Sequence, residues 1–154
     1  AIGTAETVHV GARGENITII FVNNAIYGMT GGQMAPTTLL GQVTTTSPYG
    51  RIREIQGNPI RVCEMVSTLD GVAYAERVSV DCVKNVVNAK KAIKKGFMMQ
   101  QEKKGLSIIE VLSTCPTNWG LSPEKAIAWL RENMIEHYPL GVYKDITATE
   151  EAAK

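Results

Sequence analysis

No uninterrupted apolar run in the sequence approaches the roughly 20 residues needed to cross a bilayer, and the first residues lack a basic segment followed by a hydrophobic one. The expectation is a cytoplasmic protein with no membrane partner. Cysteine is scarce. Cys63, Cys82 and Cys115 are odd in number and widely spaced, which argues against a disulfide framework or a zinc site with paired short spacings and points to a reducing compartment. Neither sign of charge is in excess: 16 basic and 15 acidic residues leave a net charge of +1, so there is no general electrostatic case for binding nucleic acid or an anionic membrane. Internal repeats, heptad series and low-complexity tracts are absent. So is a glycine-rich phosphate loop following a first strand, which weighs against a nucleotide-binding domain of flavodoxin type. At 154 residues, 44% hydrophobic and 20% charged, the chain suffices for one domain with a continuous core and is too short for two ordinary ones.

What is present centres on Ile17 to Gln33. Ile17 to Val22 is β-branched or aromatic throughout and apolar apart from Thr18, as expected of a strand covered on both faces in a parallel sheet. Ligands in open α/β sheets sit beyond the carboxyl ends of such strands, where this chain carries Asn23 and Asn24. The Asn24 amide oxygen and the Ile26 carbonyl are hard, neutral ligands that suit magnesium, whose octahedron is usually completed by phosphate oxygens and water. Gly31-Gly32 and the stretch Thr37 to Pro48 read as a long ordered loop. Adjacent glycines let main-chain amides approach an anion, with the hydroxyls of Thr30 or Thr37 as further donors, although on glycines alone a plain turn is the simpler reading. Tyr49-Gly50-Arg51 and Arg53 follow; their arginines are expected on the exposed surface, with a ligand carboxylate or another subunit as the alternative contact.

The run Asn23-Asn24-Ala25-Ile26-Tyr27-Gly28-Met29-Thr30-Gly31-Gly32-Gln33-Met34-Ala35-Pro36-Thr37-Thr38 resembles the second half of the thiamine diphosphate motif in the beta subunits of 2-oxoacid:ferredoxin oxidoreductases. The resemblance implies that Asn24 is the side-chain ligand and Ile26 the carbonyl ligand of a magnesium ion holding the cofactor's diphosphate. Gly28, Met29, Thr30 and Gly31 would line the loop beside the diphosphate and thiazolium. In that family an aspartate from a Gly-Asp-Gly element completes the metal site; no Gly-Asp-Gly occurs here, and Ala1 to Thr7 resembles the helix that follows it. The chain is therefore expected to lack the N-terminal part of the domain and to bind magnesium thiamine diphosphate weakly, if at all, on its own. The Ser-x-Cys-Pro-Thr pattern at Cys115 resembles the remote fourth ligand of a [4Fe-4S] cluster. Without the resemblance, Cys115 reads as a free thiol just past a strand's end.

Elsewhere the patterns are structural. Ile2, Ala5, Val8 and Ala12 recur at helical spacing with His9 near the same stripe, and Gly14 is placed as a left-handed cap. Ile60, Val62, Cys63, Val66 and Leu69 support a helix, with Asn58 as N-cap and Pro59 in its first position. Val72 to Val80 reads as a strand, Cys82 to Gln101 as a helix with core stripe Val86, Ala89, Ile93 and Phe97, and Leu106 to Leu112 as another strand. Lys90, Lys91, Lys94 and Lys95 form the other face of that helix, usually a solvated face, with an acidic partner such as ferredoxin as the sharper alternative. Ser122-Pro123-Glu124 opens a further helix packed through Ala126, Ile127, Leu130 and Met134. Thr147 to Lys154 is a short helix or frayed tail.

The expected fold is α/β: three-layer α/β/α with a mainly parallel sheet, part of a thiamine diphosphate-binding fold. Residues 1–144 form the diphosphate-side domain and 145–154 a tail. The resemblance implies oxidative decarboxylation of a 2-oxoacid, of 2-oxoisovalerate or 2-oxoglutarate type, to an acyl-coenzyme A with electrons passed to ferredoxin. It also implies an alpha subunit, with gamma and delta subunits as further candidates. The isolated chain is expected to be inactive and to self-associate through an exposed sheet edge. The alternatives are half of a ferredoxin-independent thiamine-dependent decarboxylase, which has no need of Cys115, and a non-catalytic subunit-association domain.

Overall fold

Val72–Ser79 and Leu106–Leu112 are predominantly apolar, and in the computed structural model, which describes residues 3–148, both are strands buried along nearly their whole length. They are β2 and β3 of a four-stranded sheet of order β1-β3-β2-β4, whose outer strands are β1 (Thr18–Asn23) and β4 (Gly141–Asp145). Hydrogen bonds from Ser107 N to Ile17 O and from Ser113 N to Asn23 O join β1 and β3 start to start and end to end, so that pair is parallel. β2 reaches β3 through the 19-residue helix α4 (Val83–Gln101), the crossover that a parallel neighbour requires. β4 runs antiparallel to β2, pairing Tyr74 with Asp145 across a bulge at Ala75/Glu76. The sheet is mixed and mainly parallel, as the sequence leads one to expect.

The described chain divides into two units. The sheet unit comprises Val62–Val111 with the described residues of Ile2–Val22 and Leu140–Lys154, and contains α1 (Thr4–Arg13), α3 (Val62–Ser67) and α4. On one face, Ala89, Ala92 and Met99 of α4 pack on Tyr74, Val78, Ile109 and Val111. On the other, Val66 of α3 packs with Val72, Ala75, Leu106 and Ile108, joined by Val10 of α1 and Ile19. Successive residues such as Ile108 and Ile109 thus enter opposite cores, which is the alternation of a strand with helices on both sides. The loop unit, Asn23–Arg61 with Leu112–Pro139, has no strand of its own beyond the tips of β1 and β3. It carries α2 (Arg53–Gln56), α5 (Pro116–Trp119), α6 (Pro123–Trp129), a π-helical turn Leu130–Met134 and α7 (Ile135–His137).

Several local expectations change. β1 is an edge strand rather than one covered on both faces: Ile20 is 44% and Val22 56% exposed. In α1 the packed residues are Val10 and Gly11, while Ala5 and Ala12 face outward. Ile2 lies outside the described residues. The buried stripe of α4 is Ala89, Ala92, Gly96 and Met99, and Phe97 is about half exposed; the helix comes close to the sheet at Gly96, where a β-carbon would stand 2.7 Å from Ile109 Cδ1. α3 starts at Val62, so Asn58 and Pro59 precede it as extended chain. β4 was not foreseen, and the residues after Ala148 lie outside the description. Gly14 caps α1 at φ 66 as expected, and Ser122 Oγ accepts from Lys125 N at 3.4 Å to cap α6.

Two charged residues within strands are wholly buried. Arg77 Nε donates to Glu110 Oε2 at 2.9 Å; its other nitrogens donate to Glu64 at 2.5 and 3.1 Å and to the Tyr143 hydroxyl at 2.6 Å. Burial alone would lower the guanidinium pKa, but bonds to Glu64 and the charge of Glu110 outweigh it and hold the value up. Cys63 lies in the same cluster, where burial, reinforced by Glu110, pushes its thiol well above the usual range. It is an inert core residue, as the sequence suggests. No described helix is long and apolar enough to cross a membrane.

Candidate cofactor site

Where β1 runs out, the chain turns on itself. The buried Asn23 side chain accepts from Ala25 N at 3.0 Å through Oδ1, a turn that Asn favours because its short amide mimics a backbone group. Ala25 is completely buried with φ 56, in the left-handed region that costs a non-glycine residue about 1–2 kcal/mol. Thr38 holds it there: its hydroxyl donates to Ala25 O at 2.7 Å and accepts from Ala35 N at 2.8 Å. The residues on either side, Asn24 and Ile26, are thereby fixed in direction. Among the described residues neither the Asn24 amide nor the Ile26 carbonyl is taken up by a hydrogen bond. Two neutral oxygens stay open while their neighbours' polar groups are paired.

Residues 27–33 form a small closed loop. Tyr27 N donates to Gln33 O and Gly32 N to Tyr27 O, both at 2.9 Å, while the Thr30 hydroxyl and the Gln33 amide bond one another's segment at 2.6 and 2.8 Å. Met29 at its tip is fully exposed, and Thr30 and Gly31 are exposed beside it. The hydroxyl of Thr30 is committed to Gln33, and Thr37 is buried.

The bond from Ser113 N to Asn23 O joins the end of β3 to that of β1, and Cys115, two residues beyond Ser113, is the N-cap of the one-turn helix α5. This places Cys115 against Gly28. A β-carbon on Gly28 would lie 2.9 Å from Cys115 Sγ, 3.2 Å from Asn118 Nδ2 and 4.0 Å from Asn24 Nδ2. Glycine is required here by contact. Asn118 Nδ2 donates both to Gly28 O at 3.1 Å and to Cys115 Sγ at 3.2 Å. Cys115, distant in sequence, therefore converges with Asn24 and Gly28. Met29, Thr30 and Gly31 lie on the loop's outer edge, and Asn118 is a member the sequence reading missed. Cys63 and Cys82 belong to the sheet unit, and the described residues contain no group of three or more His, Cys, Asp or Glu side chains able to hold a metal.

The loop that carries the site is held by Arg51, which is only 6% exposed rather than on the surface as expected. Its guanidinium donates to the carbonyls of Gly57 at 2.9 Å, Pro36 at 2.9 Å, Thr38 at 2.7 Å, Gln56 at 3.1 Å and Asn58 at 2.9 Å. Burial lowers its pKa from the usual guanidinium value, with the Tyr138 phenol opposing. Tyr138 is itself buried and donates to Thr37 O at 2.7 Å. The sequence signal was indirect: a segment from Asn24 to Ile52 without regular structure must satisfy its carbonyls by other means.

A mainly parallel α/β sheet followed by a polar, glycine-containing loop at a strand's carboxyl end defines the class of domain that presents such loops to a phosphorylated cofactor. The chain belongs to the family of the thiamine pyrophosphate enzyme, C-terminal TPP binding domain, which matches residues 1–111. It is 43% identical over 151 residues to the ketoisovalerate oxidoreductase subunit VorA of Methanothermobacter thermautotrophicus, covering 98% of this chain and 32% of that one. It is 37% identical over 155 residues to the 2-oxoglutarate synthase subunit KorB of Methanocaldococcus jannaschii, covering 97% and 52%. Among solved structures it resembles the 2-oxoglutarate:ferredoxin oxidoreductase from Magnetococcus marinus with 2-oxoglutarate, coenzyme A and succinyl-CoA bound. That likeness has a TM-score of 0.68 at 20% identity over 94% of this chain and 52% of the other, and it shows a shared fold. The chain thus spans between a third and about half the length of these relatives.

Proposed function

We propose that this sequence forms the diphosphate-side wall of the thiamine site in a 2-oxoacid:ferredoxin oxidoreductase. The overall reaction converts a 2-oxoacid and coenzyme A to acyl-coenzyme A and carbon dioxide, with two electrons passed to ferredoxin. The observation that carries this reading is the convergence of Asn24, Cys115 and Asn118 on Gly28, in a segment where the Ile26 carbonyl and Asn24 amide stay unpaired. The donor set fits magnesium thiamine diphosphate in part: Asn24 and Ile26 supply two neutral oxygens of an octahedron whose remaining corners need phosphate, water and an anionic ligand. When bound, the thiamine supplies the electron sink for loss of carbon dioxide. Asn24 and Ile26 would hold the cation, the 27–33 loop would present main chain to the diphosphate, and Cys115 would supply one of the four thiolates of a [4Fe-4S] cluster. Its neighbour Gly28 leaves the sulfur uncovered on that side. On this reading the remaining cluster ligands come from outside these 154 residues, and the exposed Lys90 and Lys94 offer an acidic partner such as ferredoxin a basic surface.

The test is calorimetric titration of thiamine diphosphate with magnesium into the assembled enzyme. Asn24→Ala should weaken binding at least about 10-fold, in the range for loss of a metal-site group. Binding equal to that of the parent would remove Asn24 from the metal site and the reading with it. The 154-residue chain alone should show no micromolar affinity.

A further inference from the structure

Within the loop unit, Gln42 Nε2 and Trp119 Nε1 are buried without a hydrogen-bond partner, and both side chains line the same cleft. The cleft holds about 210 Å³ between Gly41, Gln42 and Val43 on one side and Trp119, Leu121 and Trp129 on the other. Turning the Gln42 amide round would not relieve it, because its oxygen accepts from Leu39 N at 3.0 Å. Both unpaired atoms are therefore donors, and the only side-chain acceptor in the lining is already engaged. This selects the chemistry of an occupant. A carboxylate would enter with its charge unopposed, since none of the six lining residues is charged. Water could accept from either nitrogen but has hydrogens of its own to place among two indoles, Val43 and Leu121. An uncharged carbonyl oxygen accepts and donates nothing, and an apolar group beside it suits the rings, whose centroids lie 4.5 Å apart at a tilt of 54°.

We propose that this cleft docks a polypeptide of another subunit, which lays one apolar side chain against the two indoles and presents an adjoining main-chain carbonyl to Gln42 and Trp119. Its size favours a single side chain, being smaller than the roughly 300–1,000 Å³ of clefts that hold whole drug-sized ligands. The rim favours a polypeptide over a free small molecule. Val43 at the mouth is 61% exposed, and Gly41 N donates to Arg51 O while Arg51 N donates to Gln42 O. The exposed Leu40 and Ile52, chain neighbours of Gly41 and Arg51, therefore flank the same ribbon. A tryptophan-lined cleft, free of charge and bordered by exposed aliphatic side chains, has the composition of the centre of a protein interface. The identity of the partner rests on the assembled enzyme proposed above, and the chemistry of the occupant rests on the cleft alone.

The experiment has two arms. In the first the probe is N-acetyl-L-leucine N-methylamide, a leucine side chain flanked by peptide carbonyls. Trp119 and Trp129 are the chain's two tryptophans, so emission from the 154-residue chain reads the cleft directly. The probe should shift that emission with a dissociation constant of about 1 mM, the affinity expected for a ligand of about 13 non-hydrogen atoms. Trp119→Phe keeps an aromatic ring but loses the N–H and should weaken binding about 5–10-fold, the loss expected for one hydrogen bond. Val43→Glu places a charge at an exposed position on the mouth and should abolish binding. A thermal scan of each variant checks that the fold is retained. In the second arm, hydrogen exchange compares the chain alone with the assembled enzyme, where the Gln42 and Val43 amides should exchange at least about 10-fold more slowly. The Val43→Glu chain should also assemble with its companion subunits more weakly than the parent. No response to the probe, or equal binding by a folded Trp119→Phe variant, overturns the chemistry assigned to the cleft. Probe binding by the chain with equal exchange in the enzyme overturns the polypeptide partner and marks a site for a free ligand. Emission that shifts with chain concentration alone, and no longer does so in Val43→Glu, makes a second copy the occupant and overturns the partner as well.

Discussion

Replacing Arg51 by Met should unfold the loop unit at a lower denaturant concentration than any surface substitution would. The guanidinium makes five hydrogen bonds of 2.7 to 3.1 Å to carbonyls of two segments, Pro36 to Thr38 and Gln56 to Asn58, with no carboxylate among the partners. Bonds with an ionised donor contribute about 1.5–3 kcal/mol each, a gross sum of about 7–15 kcal/mol. Withdrawing the charge from water offsets several kcal/mol of that. Methionine keeps most of the stem's packing but leaves the carbonyls without donors, so the expected net loss is about 3–5 kcal/mol. The chain has two tryptophans, Trp119 and Trp129, and both lie in the loop unit with ring centroids 4.5 Å apart. Urea unfolding followed by tryptophan emission therefore reports this unit, and the midpoint should fall by more than about 1 M for a slope of about 1–3 kcal/mol/M. Arg51→Lys supplies at most three donors without the planar fork and should recover less than half of the loss. A tryptophan transition for Arg51→Met within about 0.5 kcal/mol of the parent, the range of ordinary surface substitutions, would refute the role assigned to the clasp.

Other perturbations follow from the same geometry. Thr38→Val leaves Ala25 O and Ala35 N without their buried partner and should lower stability by about 2–4 kcal/mol in the same assay, while Thr38→Ser should remain close to the parent. Glu110→Leu removes the carboxylate that faces Arg77 Nε in a site with no exposure on either side. It should destabilise the sheet unit by about 3–5 kcal/mol, read by far-ultraviolet circular dichroism of α4 on heating. Burial would raise the Asp145 carboxyl, but hydrogen bonds from Lys95 and Thr147 outweigh it and depress the folded value. Its stabilising contribution is therefore complete above the unfolded carboxyl range and disappears as pH falls through the depressed folded value. Asp145→Asn should flatten that acid limb, and an unaltered acid profile would contradict the assignment. Exposed Ile20 and Val22 on edge strand β1 should make the isolated chain associate, and Ile20→Lys should return the light-scattering mass to that of a monomer at equal concentration.

The elements most legible in the sequence are those whose side chains alone decide the conformation. Leu106–Leu112 matches its expected bounds because seven consecutive residues suit a buried strand, and α6 opens at Ser122-Pro123 because the cap and the first-turn proline are local signals. The α3 boundary failed for the converse reason. Asn58-Pro59 reads as a cap and first helical turn, but Asn58 O is claimed by Arg51 and Ile60 N donates to Pro36 O, which holds the segment extended. No local pattern contains that information. The face of α4 was misjudged because hydrophobicity favoured Phe97, whereas closeness to the sheet favours Gly96. Arg77 and Glu110 were legible in principle. Each interrupts a strand buried on both faces, and a charge in that position demands an opposite charge on a neighbouring strand.

Asn24 and Ile26 were named on pattern, and what no sequence pattern could supply is why their oxygens stay unpaired. In the Asn23–Arg61 segment turns and isolated bridges pair part of the backbone, and several further carbonyls are met by side chains: Ala25 O by Thr38, Thr37 O by Tyr138, and the carbonyls of Pro36 and Thr38 by Arg51. A loop whose guanidinium is spent on its own carbonyls does not leave another open for want of donors. The Ile26 carbonyl stands beside a left-handed alanine that the Asn23 turn and the Thr38 hydroxyl force on the chain. Strain maintained by two side chains, next to an acceptor left unsatisfied, is the pattern of a segment shaped for something outside the chain. A cation completing its shell with that oxygen would make use of the conformation that Thr38 maintains: Thr38→Val should weaken cofactor binding in the assembled enzyme as well as stability, although Thr38 touches neither open oxygen.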